Sequence, residues 1–440
     1  MVNIKFPSLT NNWKNIKLDK VLLVALVLIL ALGLLAQSSV AQGRFFSKQI
    51  ILILLGIPIF YLGYSIPTEV IKRTWWLGYG FSVLLLLFVL FKGTEILGAQ
   101  RWLCFGKFCV QPSEPAKIAA IIALAYWFDQ HKPKSLFEII KAGFIILLIP
   151  FALIFKQPDL GTSMVLVAIF FSMVYWAGAK LAQVLVLLSP LIISITSSLS
   201  TRAFSLPEFT LFEHSIIPAC SVLGIITICL ICLFLAIYHK IWRSIFKTIA
   251  FGFYTIFAFF IALIGRPIAW GILKPYQQKR LSIFLDPQTD PSGAGYNIIQ
   301  SLLAVGSGGL WGQGYKTGRL TQGLFVPEQH TDFIFSSIAE EWGFMGALVL
   351  LIVFATICFR LFLLIKGLDD SFCKLLVVGV LTFLCFHVCV NIGMNIGLMP
   401  VTGVPLPFIS YGGTALWVCL FSLGITQRIY ADNIGNSMFK

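Results

Sequence analysis

Only 11% of this 440-residue chain is charged, so the side chains able to do chemistry are few, and they fall into blocks. The richest block is 266–332, which reads GRPIAWGILKPYQQKRLSIFLDPQTDPSGAGYNIIQSLLAVGSGGLWGQGYKTGRLTQGLFVPEQHTD. Its acids are Asp286, Asp290, Glu328 and Asp332, with His330 between the last two. Asp286 and Asp290 each precede a proline, which places both in extended or turn backbone. Asp290-Pro-Ser-Gly is a turn signature. On pattern alone both acids read as turn-capping aspartates. The functional alternative is a general base held near a membrane surface.

Three further blocks carry polar groups. The first is 98–117, GAQRWLCFGKFCVQPSEPAK. Arg101 and Trp102 suit a membrane interface, where Trp sits at headgroup level and Arg pairs with phosphate. Ser113 is expected to N-cap a following helix, with Pro115 in its first turn. Glu114 and Lys117 then share one helix face, either as a structural pair or as an intramembrane functional site. The second block, Lys156-Gln-Pro-Asp-Leu-Gly-Thr, reads structurally: Pro158 ends one helix and Asp159 caps the next. The third, 390–413, has broken backbone beside a span, tolerated only where it is buried or lines a cavity. Asn391, Asn395, Thr402 and Ser410 supply its polar groups. No block resembles a P-loop, a dinucleotide fingerprint or a zinc motif.

The elements that position these blocks follow from composition. The chain is 58% hydrophobic, and its 11% of charged residues compares with about 25% in a soluble domain, which excludes a soluble enzyme. A spanning helix needs about 20 mostly apolar residues. Twelve stretches qualify: 21–37, 48–66, 75–92, 116–128, 138–155, 163–178, 181–199, 215–238, 248–265, 333–359, 374–393 and 409–427. The expected fold is an all-α polytopic membrane protein. The net charge of +14 has two readings, a nucleic-acid partner or a topology signal. The basic residues are scattered along short inner loops rather than gathered in a patch, so the second holds and no nucleic-acid partner is expected. Both termini are then cytoplasmic, and 266–332 is a long structured outer loop. Within it, 293–305 reads as a short amphipathic or re-entrant helix. Eight of the ten cysteines lie in or beside spans as small apolar side chains. The other two, Cys104 and Cys109, flank Gly106-Lys107 in a hairpin reading that sets them opposite each other, within disulfide range outside the cell.

At these blocks the chain resembles the SEDS family of polytopic membrane proteins (shape, elongation, division and sporulation), in its rod-shape branch. The matching strings are GAQRWL and QPSE-x-AK (98–103, 111–117), KQPDLGT (156–162) and FLDP-x-x-DP-x-GAGY-x-IIQS (284–301). GSGGL-x-GQG (306–314), PE-x-HTDFIFS-x-IAEE-x-G (327–343) and GLMPVTGVPLPFISYGG (397–413) match in the same order. The resemblance implies a ten-span plan, here as one domain over 1–440 with two further spans inserted in 200–265 and a catalytic loop at 266–332. It implies a peptidoglycan glycosyltransferase that polymerises lipid II at the outer face of a bacterial cytoplasmic membrane during elongation and shape maintenance. A class B penicillin-binding protein, undecaprenyl-linked glycan and membrane lipid are the implied partners.

The family's essential loop aspartate matches Asp290, not Asp286, which leaves Asp286 and Asp159 as structural. Cations are needed at the leaving pyrophosphate, and Arg101, Lys117, Arg280 and Lys279 are the candidates; a divalent Mg or Mn ion is the alternative, with no protein metal site evident. Substrate binding is expected of Arg101, Trp102, Glu114, Lys117, Arg280, Glu328, His330, Asp332 and Ser410. Two other functions stand beside this one: a lipid II flippase or transporter, and a non-catalytic scaffold of the wall synthase.

Overall fold

The computed structural model describes residues 17–96, 99–105, 108–133, 135–181, 183–185, 187–188, 208–211, 214–218, 275–291 and 293–437. Long apolar helices dominate them. In chain order the first are α1 (Lys20–Ser39), α2 (Phe46–Ser65), α3 (Thr68–Arg73) and α4 (Trp75–Lys92). A three-stranded antiparallel sheet follows: β1 (Thr94–Ile96), β2 (Ala99–Phe105) and β3 (Phe108–Val110). Next come α5 (Ser113–Gln130), α6 (Leu136–Ala142), a π turn (Gly143–Leu147), α7 (Leu148–Lys156) and α8 (Leu160–Trp176). A hairpin, β4 (Glu208–Leu211) and β5 (His214–Pro218), precedes α9 (Pro275–Leu285), α10 (Ala294–Ser307) and α11 (Arg319–Gln322). The chain ends in α12 (Ile334–Gly367), α13 (Ser371–Asn395) and α14 (Gly413–Ser437).

Among the described residues, six helical stretches are long and apolar enough to cross a membrane. This is an integral membrane protein. The expected span 181–199 lies mostly, and 248–265 wholly, outside the described residues. Of 215–238 only the start is described, and there the chain is the strand His214–Pro218 rather than a helix.

Helix ends follow local chemistry. Asp19 caps α1, its carboxylate accepting from the Val21 and Leu22 amides. Ser135 and Glu138 form a reciprocal capping box on α6. Asp159 caps α8 through Thr162 N. Ser113 does not cap α5. The helix begins at Ser113 itself after Pro112, and the Ser113 hydroxyl donates to Asp159 Oδ2 at 3.4 Å. Asp159 also accepts from Gln111 Nε2 and Thr162 Oγ1, so one carboxylate fastens the starts of α5 and α8 together.

Packing is closest where side chains are absent. A Cβ on Gly63 of α2 would sit 2.5 Å from Phe421 O of α14, and one on Gly424 would sit 2.2 Å from Phe60 O. Small residues bring membrane helices to this range because lipid supplies no hydrophobic drive between helices. The core runs through α5, α8 and α13, with Ile121, Leu124, Ile169, Met173, Val377 and Phe383 all buried.

One spanning helix is broken. Inside α12, Gly343 has φ 66° and ψ −165°, which non-glycine residues avoid. The segment 309–314 packs into the break, with Gln313 N on Glu340 O, Gly314 N on Glu341 O and Phe344 N on Gly309 O. The part from 344 to 367 is roughly 36 Å long, enough to cross the bilayer without the turns before the break.

Candidate active site

All four polar blocks contribute to the lining of one cleft. Arg101 enters from β2, Pro158 and Leu160 from the turn before α8, and Gln277, Arg280 and Leu281 from α9. Pro400, Val401 and Thr402 close it from the loop between α13 and α14. Arg101 Nε donates to Gln157 O at 3.1 Å, and its Nη2 reaches Pro158 O. Arg280 Nη1 donates to Val401 O at 3.2 Å. The walls therefore carry two guanidinium groups, while Thr402 Oγ1 is buried with no hydrogen-bond partner. Such a cleft suits an oxyanion-rich group with an apolar attachment.

Asp290 is not among the residues that line the cleft, but it is tied to α9, the helix that carries Arg280. The helix α9 ends at Leu285; Asp286 then caps a short 3-10 turn, Pro287–Thr289, by accepting from Gln288 N at 3.0 Å. That turn delivers Asp290 back onto α9, where Oδ2 lies 2.7 Å from Lys279 Nζ. Lys279 is next to Arg280, so one helix carries both the Asp290 ion pair and a cleft guanidinium. Gly293 and Gly295 are required by the tightness of this turn: a Cβ on Gly293 would sit 2.3 Å from Asp290 Oδ2. The Asp290 side chain remains 26% exposed, so the carboxylate is reachable.

Asp332 completes the electrostatics. Burial pushes its carboxyl up to about 6, opposed by Arg280 and Arg101 and reinforced by Glu328 and Asp159. Its backbone carbonyl accepts from Asn391 Nδ2 and Asn395 Nδ2, both at 3.0 Å. The turn bearing Asp332 is thus clamped to α13.

The remaining sequence candidates sit elsewhere. Trp102 is half-buried on β2 opposite Thr94. Glu328 is exposed, accepts from Thr331 Oγ1, and stands 3.9 Å from His330 Nε2. His330 stacks on Phe45 at 4.0 Å between centroids. Burial holds the His330 ring below its ordinary value, with Glu328 raising and Arg44 lowering it. Ser410 is buried; its hydroxyl donates to Thr331 O and accepts from Leu406 N, so it braces two loops instead of facing the cleft. Glu114 and Lys117 are also absent from the cleft lining. Lys117 Nζ is spent on Glu114 Oε1 at 2.8 Å and His387 Nε2 at 3.0 Å, and lies 4.9 Å over the Phe383 ring. Glu340 holds the start of α11, accepting from the Leu320 and Thr321 amides, and Glu341 accepts from Ser39 and Gln322.

The hairpin reading of 103–110 matches the strand register: Leu103 opposes Val110, Cys104 opposes Cys109 and Phe105 opposes Phe108. The Cys104 and Cys109 sulfurs are joined, tying β3 to the strand that carries Arg101. The turn Gly106-Lys107 lies outside the described residues. Among the described residues no three of His, Cys, Asp and Glu gather where a metal ion could be held. The polar side chains that line the cleft, two guanidiniums, an amide and a hydroxyl, include no carboxylate, imidazole or thiolate to hold a divalent ion.

Sequence reasoning passed over Gln277 and His387. Gln277 has no neighbouring motif to mark it. His387 had a signal, since His387, Asn391 and Asn395 recur every four residues on one face of an otherwise apolar span.

A family model described as cell cycle protein, FTSW_RODA_SPOVE, matches residues 15–217 and 211–434. The peptidoglycan glycosyltransferase RodA of Treponema pallidum (strain Nichols) is 34% identical over 439 residues, covering 94% of this chain and 98% of the relative. The peptidoglycan glycosyltransferase MrdB of Escherichia coli (strain K12) is 32% identical over 430 residues, covering 96% of each. Among solved structures, a chain from work on structural coordination of polymerization and crosslinking by a peptidoglycan synthase complex aligns with a TM-score of 0.68. It is 28% identical and covers 94% of this chain and 98% of that one.

Proposed function

The chain belongs to the FTSW_RODA_SPOVE family of cell cycle proteins, and from that premise we propose that it is a peptidoglycan glycosyltransferase polymerising lipid II, with Asp290 as general base. The observation that carries this reading is the meeting of Arg101 and Arg280 in one cleft, with Asp290 ion-paired to Lys279 on the same helix as Arg280.

The acceptor sugar's 4-hydroxyl attacks the anomeric carbon of the donor. Asp290 takes its proton, and the lipid-linked pyrophosphate leaves. Arg101 and Arg280 meet the growing charge on that leaving group; both are held in place by backbone carbonyls, so they need no reorganisation as charge develops. Lys279 keeps Asp290 oriented toward α9. Lys117 and Glu114, buried in their own pair, support the site from behind and do not touch the pyrophosphate. The apolar part of the cleft, Leu160, Leu281 and Val401, suits the start of the undecaprenyl chain.

The reaction takes place on the extracytoplasmic side of a bacterial inner membrane, the side that favours the Cys104–Cys109 bridge. A class B penicillin-binding protein cross-links the product. The relative solved within a synthase complex supports such a partner.

The test is lipid II polymerisation by purified protein with its transpeptidase partner. Asp290→Asn should fold and bind the partner normally while losing at least about 100-fold in rate, the scale of general-base removal. Wild-type activity in that variant would sink the assignment. Lipid II flipping by wild type without polymerisation would replace the reading altogether.

A further inference from the structure

We propose that His387 is a positioning residue: its neutral ring couples the buried Glu114–Lys117 pair to the loop that lines the cleft. The inference rests on the polymerase reading above. Glu114, Lys117 and His387 are all nearly fully buried, at 3%, 0% and 2% exposure. An ammonium only donates hydrogen bonds. His387 Nε2, 3.0 Å from Lys117 Nζ, therefore accepts. The ring is neutral, its proton is on Nδ1, and Nδ1 donates to Pro405 O at 3.2 Å. Phe383 sets the ring plane, edge-on to it at 4.7 Å. One imidazole thus passes an orientation from α5, through α13, to the cleft loop.

That loop needs outside donors. Its prolines at 400, 405 and 407 supply no amide N–H, so its carbonyls must be met from elsewhere. One helical turn beyond His387, Asn391 Nδ2 donates to Val404 O at 2.8 Å. Side chains of α13 therefore hold two successive carbonyls, at Val404 and Pro405. At its other end the same loop presents Val401 O to Arg280 and places Thr402 in the cleft wall. A loop released at Pro405 would take the Arg280 acceptor with it. The ion pair is not there for stability alone. Glu114 Oε2 is buried with no hydrogen-bond partner, and buried pairs of this kind are often replaceable by apolar residues without loss of stability.

Two substitutions separate positioning from other roles. His387→Leu removes both hydrogen bonds. His387→Gln keeps one acceptor and one donor at a similar spacing but cannot titrate. With lipid II and the full-length protein, His387→Leu should raise KM by about tenfold with kcat changed far less. His387→Gln should return KM to within about threefold of wild type with the same pH profile. Loss of a pH limb in the Gln variant, or Leu behaving as wild type, would overturn the proposal. A second measurement is independent of activity. In a Thr402→Cys background, His387→Leu should speed labelling of that cysteine by a water-soluble maleimide severalfold, and His387→Gln should not. Equal labelling in all three overturns the proposal even if the polymerase reading stands. Faster labelling in a protein that fails to polymerise lipid II would sink the reading and keep the coupling. If His387→Leu does not fold, the Gln variant alone decides, by its pH profile and its Thr402→Cys labelling.

Discussion

As pH rises through about 6, Asp332 gains a negative charge felt by Arg280 and Arg101. Asp332 has its carboxyl raised from 3.8 to about 6, chiefly by burial. Protonated, it leaves Arg280 and Arg101 unopposed for an anionic donor; ionised, it competes for them. KM for lipid II should therefore rise as pH increases through about 6, and Asp332→Asn should flatten that rise in a steady-state pH series. Stability carries the same sign. The folded state binds the proton more tightly than the unfolded chain, so this contribution is complete below 3.8 and lost as pH rises through about 6. Thermal unfolding across that window checks it, with Asp332→Asn lacking the slope. At this scale the sequence was informative where residues are held by their neighbours in the chain. Asp286 and Asp159 cap the turns beside their prolines, and Glu114 meets Lys117 one turn on. It was uninformative where a partner comes from far away. Lys117 reads as a cation for the pyrophosphate until His387, 270 residues later, is seen to occupy it. Ser410 reads as a cavity hydroxyl until Thr331 O takes it.

Helices were legible because hydropathy alone sets their length. Each described span begins or ends within a few residues of the apolar stretch that marked it, and 293–305 became α10. The sheet was legible only in its hairpin half. The β1 pairing, Thr94 with Trp102, Glu95 with Gln100 and Ile96 with Ala99, includes a bulge and leaves no alternating pattern to read. The break in α12 was hidden as well, since one glycine in a run of apolar residues does not reveal its dihedral angles. Its energetic weight is testable. At Gly343 a Cβ would meet Gly312 N at 2.2 Å, and the backbone itself is in a glycine-only region. Gly343→Ala should cost about 2 kcal/mol or more, read as a lowered unfolding midpoint in detergent, with the outer segment 309–314 becoming accessible to protease first.

In the proposed topology the molecule as a whole is organised around an outer face. The sheet, the cleft, α10 and α11 all connect to the outer ends of helices in the inferred topology, while Asp19, Lys72, Asp129 and Arg360 pair near the opposite ends. Single cysteines on either side of α12 test that orientation. Lys316→Cys, in the exposed turn before α11, should react with an impermeant maleimide in intact spheroplasts. Lys366→Cys, at the far end of the same helix, should react only after permeabilisation. The reverse pattern would place the cleft in the cytoplasm and end the polymerase reading.

The clasp near those inner ends bears on how the protein is made. Asp19, at the start of the first helix, donates its amide to Gln427 Oε1 across 408 residues and pairs its carboxylate with Arg360 at 2.7 Å. During synthesis the first helix is inserted long before either partner exists. Until α12 arrives, this carboxylate has no guanidinium; until α14 arrives, the neighbouring amide has no glutamine. A chain that stops before α14 therefore lacks the glutamine half of this clasp, and one that stops before α12 lacks both halves and keeps only the cap that Asp19 makes on its own helix.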